Sequence, residues 1–366
     1  MFLTIVAFVL VLGLLIFVHE LGHFVMAKRA GIKVEEFGFG FPPRVFGVKR
    51  GETIYSINLL PLGGFVKIFG ENGVDKKDIK ESDKGRAFGD KPIKTRAIVL
   101  AAGVTMNLIL AAFLLGFGNW VGLPTAIGDE EMIGARGAKV QIVQVAFDSP
   151  AEKAGIHIGD TVALLKAGGE EIKVDRVIQM QNFIDRHKDK EIIAVIQRGD
   201  EVLEKTMLAR ANPPENEGSL GVALVRTAIV SHPWYKAIYL GIADTFKMTV
   251  AIVVALGGLL WQLISTGKTA IEGGGPVYIF NLTGQAAQLG FIYVLQLAAI
   301  LSINLAIINI LPFPALDGGR LLFLAIEKIK GTPVSQNIER IAHTAGFALL
   351  ILLMIAITWR DIAMLF

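Results

Sequence analysis

The chain has 366 residues, of which 53% are hydrophobic and only 19% charged, too few charges for an ordinary soluble enzyme of this length. A formal net charge of +3 over that length is too slight for a nucleic-acid binder. With no cysteine, disulfides and thiolate ligands are excluded, so any transition metal must be held by imidazole and carboxylate.

A helix of about twenty apolar residues spans a bilayer, and four stretches meet that standard: 2–26, 97–121, 291–311 and 341–359. The first lacks a basic leader and runs on into His19-Glu20 instead of a small-residue cleavage site, so it reads as a retained span. Within it lies His19-Glu20-Leu21-Gly22-His23, an H-E-x-x-H motif. Residues four apart share a helix face, so both imidazoles reach one metal while Glu20 reaches the attacking water. Chance matches to so short a motif are common, but here two histidines and a glutamate interrupt an apolar run. A charge at the bilayer centre costs about 2.5 to 3.5 kcal/mol even on a lenient scale, which makes such groups functional by default.

Between the first two spans lie Lys28, Arg29, Arg44, Lys49, Arg50, Lys67, Lys76, Lys77, Lys84, Arg86, Lys94 and Arg96. The positive-inside rule puts that loop in the cytoplasm, and the N-terminus and the region between the second and third spans outside. Within the loop, Gly38-Phe39-Gly40-Phe41-Pro42-Pro43 reads as a re-entrant stretch at the membrane edge, where aromatics favour the interface and glycine and proline preclude a helix. Residues 53–58 alternate like a strand and 61–67 follow with a glycine turn, which predicts a β-hairpin. Gly103 and Asn107, four apart on the second span, predict close helix packing, and no chemistry is assigned to them.

The outer region contains a small α+β domain at 139–211. Residues 140–145 alternate; Ser149-Pro150-Ala151-Glu152 is a capping box ended by Gly155; Gly159-Asp160 turns into a strand at 161–165. Val177, Met180, Phe183 and Ile184 share a helical face, and 192–197 and 202–208 flank the turn Arg198-Gly199-Asp200-Glu201 as a hairpin. The pattern, with its Ser149-to-Gly155 string, resembles a PDZ domain, which binds an extended peptide or free C-terminus along a sheet edge. A spacer without a ligand is the other reading.

Residues 241–266 are apolar enough to cross the membrane but are interrupted by Asp244, Lys247 and Gly257-Gly258. A further crossing would carry Asp317 to the face opposite His19 and His23, so a surface-lying or re-entrant helix is expected. Asp317 is the expected third ligand. It follows Asn309-Ile310-Leu311-Pro312-Phe313-Pro314, where the prolines break an apolar helix, and precedes the permissive Gly318-Gly319. A capping Asp in an interfacial turn is the plain alternative.

The two motifs, their order and the PDZ-like insert resemble the site-2 protease family of intramembrane zinc metalloproteases, bacterial RseP type, over nearly the whole chain. The resemblance implies Zn2+ as cofactor, His19, His23 and Asp317 as its ligands, Glu20 as catalytic base, and Asn304 and Asn309 as holders of the unwound substrate backbone. It also implies a membrane-associated β-hairpin, and a substrate-entrance segment at Gly273-Gly274-Gly275-Pro276 that reads equally as a linker. The chain departs from the best-known members in carrying one PDZ-like stretch where they carry two.

The expected fold is a four-transmembrane-helix core, 1–121 and 289–366, with the PDZ-like domain 139–211 and a surface or re-entrant helical region 232–288. The expected function is cleavage of transmembrane segments of single-span membrane proteins, anti-sigma-factor-like or signal-peptide remnants. The resemblance places the chain in a bacterial inner membrane, with the PDZ-like domain and any peptide ligand on the extracytoplasmic side. The alternative is a non-catalytic zinc-binding scaffold, which would have no use for a base beside the metal. A zinc transporter would need ionisable groups spread through several spans, and the core carries one cluster.

Overall fold

A computed structural model describes residues 1–71, 83–130, 136–199, 201–214, 217–267 and 275–363. Lys76, Lys77, Asp200, Gly273 and Gly274 lie outside them. The chain divides into two compact units, Met1–Gly116 with Tyr239–Gly284 and Val294–Phe366, and Phe117–Ile238 with Gln285–Tyr293.

Among the described residues, five helices are long and apolar enough to cross a membrane: α1 (Phe2–Arg29), α2 (Ile93–Val121), α5 (Trp234–Thr266), α7 (Phe291–Ile310) and α9 (Gln336–Ala363). Four cover the expected spans. The fifth, α5, runs unbroken through Asp244, Lys247 and Gly257-Gly258, since the two glycines together cost a helix only about 2 kcal/mol. On α5, Met248, Ile252 and Leu256 recur at helical spacing and pack on Ala111 of α2 and on Ile303 and Ile307 of α7.

Between α1 and α2 lie two long strands, β1 (Val34–Arg50) and β2 (Thr53–Ile68). The segment 38–43, expected as a separate membrane-edge loop, is part of β1. The tight turn is at Gly51-Glu52, with Arg50 opposite Thr53, and not at Gly63-Gly64. Phe37 is registered with both Val66 and Tyr55, so the first half of β1 has β2 residues on both sides. Ala27, Ile32, Val34, Ile68, Val99 and Leu324 are buried together and fasten this sheet to the helices.

The second unit holds β3 (Leu123–Ala126), β4 (Arg136–Val145), α3 (Pro150–Lys153), β5 (Thr161–Ala167), β6 (Glu170–Lys173), α4 (Val177–Arg186), β7 (Glu191–Arg198), β8 (Glu201–Leu208) and β9 (Val222–Val230). The sheet order is β3-β9-β4-β5-β7-β8, with β6 beside β5. It takes in two strands outside 139–211: β9 lies between β3 and β4, so the sheet needs residues on either side of the expected domain. Ser149 caps α3, its Oγ accepting from Glu152 N–H at 3.1 Å. The apolar face of α4, Met180, Phe183 and Ile184, closes the core over Val140, Leu165 and Ile196.

The remaining helices are α6 (Pro276–Leu289) and α8 (Asp317–Lys330). Gly318 and Gly319, read as permissive residues after the ligand, lie inside α8. They are there for space: a Cβ at Gly318 would lie 2.2 Å from the Leu311 carbonyl oxygen, and one at Gly319 2.3 Å from that of Phe313.

Candidate metal centre

From Ile5 to Met26 α1 is apolar except where His19, Glu20 and His23 interrupt it, and the two histidines are buried. The helix packs closely on α2 there, since a Cβ at Gly22 would lie 2.4 Å from the Ala102 carbonyl oxygen. Asp317 arrives from the other end of the sequence, as the first residue of α8 after the Pro312–Pro314 break.

His23 Nε2 lies 3.2 Å from His19 Nε2, and the two nitrogens lie 3.2 and 3.1 Å from Asp317 Oδ2. Tetrahedral ligands at the usual zinc bond lengths lie roughly 3.3 Å apart, so the triangle has the right size. Its polarity also fits. His23 Nδ1 donates to the Val99 carbonyl oxygen at 2.9 Å, which turns a lone pair on Nε2 toward the cluster. Asp317 Oδ2 is buried with no hydrogen-bond partner. Lone pairs that converge on one point repel unless a cation lies among them, and an imidazole-carboxylate set of this size suits zinc. Burial works against charge on Asp317, but the imidazoles of His19 and His23 outweigh it and hold the carboxylate below its usual range.

Glu20, between the two histidines on α1, adjoins the triangle. β2 passes so close that a Cβ at Gly64 would lie 3.3 Å from Glu20 Cγ. Arg320, three residues past Asp317, pairs with Glu71, whose carboxyl is pushed up by burial against the pull of Arg320.

The structure thus gathers His19, His23 and Asp317, with Glu20 alongside. Asn304 and Asn309 lie half-buried on α7 and do not belong to the ligand triangle. Two residues read only as packing prove to border the centre. A Cβ at Gly103 would lie 2.3 Å from His23 Nε2. The fully buried amide of Asn107 faces His19 Nδ1 at 3.2 Å, while its own backbone oxygen accepts from Ser302 Oγ of α7. With Nδ2 toward the ring, Asn107 Oδ1 is left buried and unpaired. Turned over, the amide gives the His19 Nδ1–H an acceptor, as Val99 does for His23. An amide inside an apolar span was the signal that marks this residue.

A model of the family described as Peptidase family M50 matches residues 7–353. A zinc metalloprotease RasP from Bacillus licheniformis is 33% identical over 442 aligned positions, covering 99% of each chain. The regulator of sigma-W protease RasP from Bacillus subtilis is 31% identical, again over 99% of both. A zinc metalloprotease RasP from Geobacillus kaustophilus is 32% identical over 99% of this chain and 98% of its own. These alignments exceed the length of this chain, so the relatives carry residues without a counterpart here.

Proposed function

From the premise that this chain belongs to peptidase family M50, we propose that it cleaves transmembrane segments of single-span membrane proteins. It is a multi-pass zinc metalloprotease of the site-2 type. The observation that carries the proposal is the triangle of His19, His23 and Asp317 with Glu20 beside it, at the end of an apolar helix.

In this reading His19, His23 and Asp317 hold zinc and Glu20 is the base. When bound, zinc supplies Lewis acidity, polarising the scissile carbonyl and easing deprotonation of water. Glu20 takes the proton of the attacking water and returns it to the leaving amine. A helical substrate hides its carbonyls in internal hydrogen bonds and must unwind first. Asn304 and Asn309, on the helix leading to Asp317, replace the bonds so lost, and the exposed edge of the β1–β2 sheet pairs with the extended segment.

Four helices, α1, α2, α7 and α9, form the spanning core in this reading, and α5 runs obliquely. The outer end of α1 touches α6, Phe8 on Phe280 and Thr4 on Gly284. α5 starts near the end of α2 remote from the metal, with Gly241 against Gly116. Descending straight, it would leave Thr266 roughly 38 Å from that level. The link from Thr266 to Gly275 reaches about 30 Å, and Gly275 lies beside Asp361 near the end of α9, next to α6.

In this reading the α1–α2 connection lies in the cytoplasm and the β3–β9 domain outside a bacterial inner membrane, an orientation that the cations of the loop support. That domain acts as a PDZ-like selector. One relative is named a regulator of sigma-W protease, which supports anti-sigma-factor-like substrates here, with signal-peptide remnants second. The test is a trio of variants on a model transmembrane substrate in detergent: Glu20→Gln keeps zinc and loses cleavage, while His23→Ala and Asp317→Ala lose both. Normal cleavage by Glu20→Gln would defeat the mechanism.

A further inference from the structure

The segment that delivers Asp317 is a strained turn. Phe313, Pro314, Ala315 and Leu316 form a β-turn closed by Leu316 N–H donating to the Phe313 carbonyl oxygen at 3.2 Å. Pro314 takes its second position and Ala315, at φ +81°, its third. That is the type II geometry, whose third position favours glycine because a Cβ is crowded at positive φ. An alanine there persists only if something outside the turn holds it.

α9 supplies that hold through two residues on one face. Gly346 lets its backbone lie flat on the turn, since a Cβ there would be 2.5 Å from the Pro314 carbonyl oxygen. One turn earlier, His343 Nδ1 accepts a hydrogen bond from Ala315 N–H at 2.8 Å. This N–H is the one a type II turn leaves without an internal partner. The imidazole is itself fixed by Phe323 of α8, ring centroids 5.6 Å apart. Two residues after Ala315, Asp317 opens α8 and points Oδ2 at the two histidines.

We propose that His343 is a positioning residue of the metal centre: by accepting Ala315 N–H it holds the strained turn that aims Asp317. The inference rests on Asp317 as a zinc ligand. The described contacts of His343 are with Ala315, Phe323 and Glu339 and not with the ligand triangle, so it acts through the backbone of the turn, as outer groups around a metal fix the orientation of its ligands.

The test compares His343→Leu, which keeps bulk without an acceptor, with His343→Asn, whose Oδ1 takes the place of Nδ1. Both are made in the full chain on the Glu20→Gln background, so that zinc affinity is read by chelator competition independently of cleavage. The leucine variant is expected to lose roughly tenfold to a hundredfold in zinc affinity, and the asparagine variant to keep the wild-type value. Adding Ala315→Gly to His343→Leu, which removes the need for an external hold at φ +81°, is expected to restore part of the loss. Wild-type affinity in His343→Leu, or equal losses in both variants, overturns the proposal. If His343→Leu does not fold, His343→Asn decides: wild-type affinity supports the assignment and a tenfold loss ends it. Failure of the underlying site reading is separate, because Asp317→Ala would then bind zinc normally.

Discussion

Replacing Gly103 by alanine sets two effects of opposite sign against each other. Alanine in a helix interior is worth about 1 kcal/mol over glycine, so on propensity alone α2 would be stabilised. In place, the new methyl would lie 2.3 Å from His23 Nε2, 2.8 Å from His23 Cε1 and 2.7 Å from His19 Cε1. Ordinary contact needs roughly 3.5 Å, so the rings or the helix must give way by about 1 Å. Overpacking of that kind costs about 1–3 kcal/mol, and the atoms that must move are the ligand rings themselves. Where bonds to zinc are held within about 0.2 Å, the clash wins at the site even if the helix gains. We expect Gly103→Ala to retain its helical circular dichroism while its zinc content after mild chelation, and its cleavage rate, fall by about a hundredfold. A variant with full zinc and wild-type cleavage would show that α2 does not abut the ligands as described.

Asn107→Ala removes the only described partner of His19 Nδ1, and zinc affinity is expected to fall by about tenfold to a hundredfold with little change in thermal unfolding; calorimetric titration of the metal-free protein measures it. Arg96 and Glu327 form a largely buried pair, Nη1 to Oε2 3.0 Å, joining α2 to α8. Removing one partner strands a charge, so Arg96→Met should cost about 3–5 kcal/mol, whereas the double change with Glu327→Met should recover most of it. Unfolding midpoints of the two variants in the same detergent test this, and equal destabilisation would refute it. Replacing residues 123–230 with a flexible linker is expected to admit substrates with intact outer domains and to leave cleavage of short ones unchanged. A parallel loss on both would contradict a selecting role.

The candidate ligands were legible where the cause of their placement is local. The four-residue spacing of His19 and His23 is helix geometry, and the prolines before Asp317 announce a break whatever surrounds them. What stayed hidden depends on distant neighbours. Gly318-Gly319 read as permissive residues after Asp317, yet they sit inside α8, where the carbonyls of Leu311 and Phe313 leave no room for a Cβ. Gly51 and Gly63-Gly64 are equally good turn signals; pairing of Arg50 with Thr53 decides between them. The strand β9 lies beyond the expected domain end at 211, and its place between β3 and β4 is a long-range fact. Gly103 and Asn107 show the same spacing for packing as for bordering a metal. A lone histidine such as His343 on an apolar helix carries no signal until the turn it serves is seen.

The triangle of ligands joins the two extremities of the polypeptide. A chain synthesised from its beginning threads His19 and His23 into the bilayer long before Asp317 exists, and a pair of imidazoles alone holds zinc weakly. With the proposed ligand set, peptide-bond hydrolysis cannot begin on a half-made molecule, and the order of biosynthesis would keep the hydrolase inert until the helix that opens at Asp317 has been made.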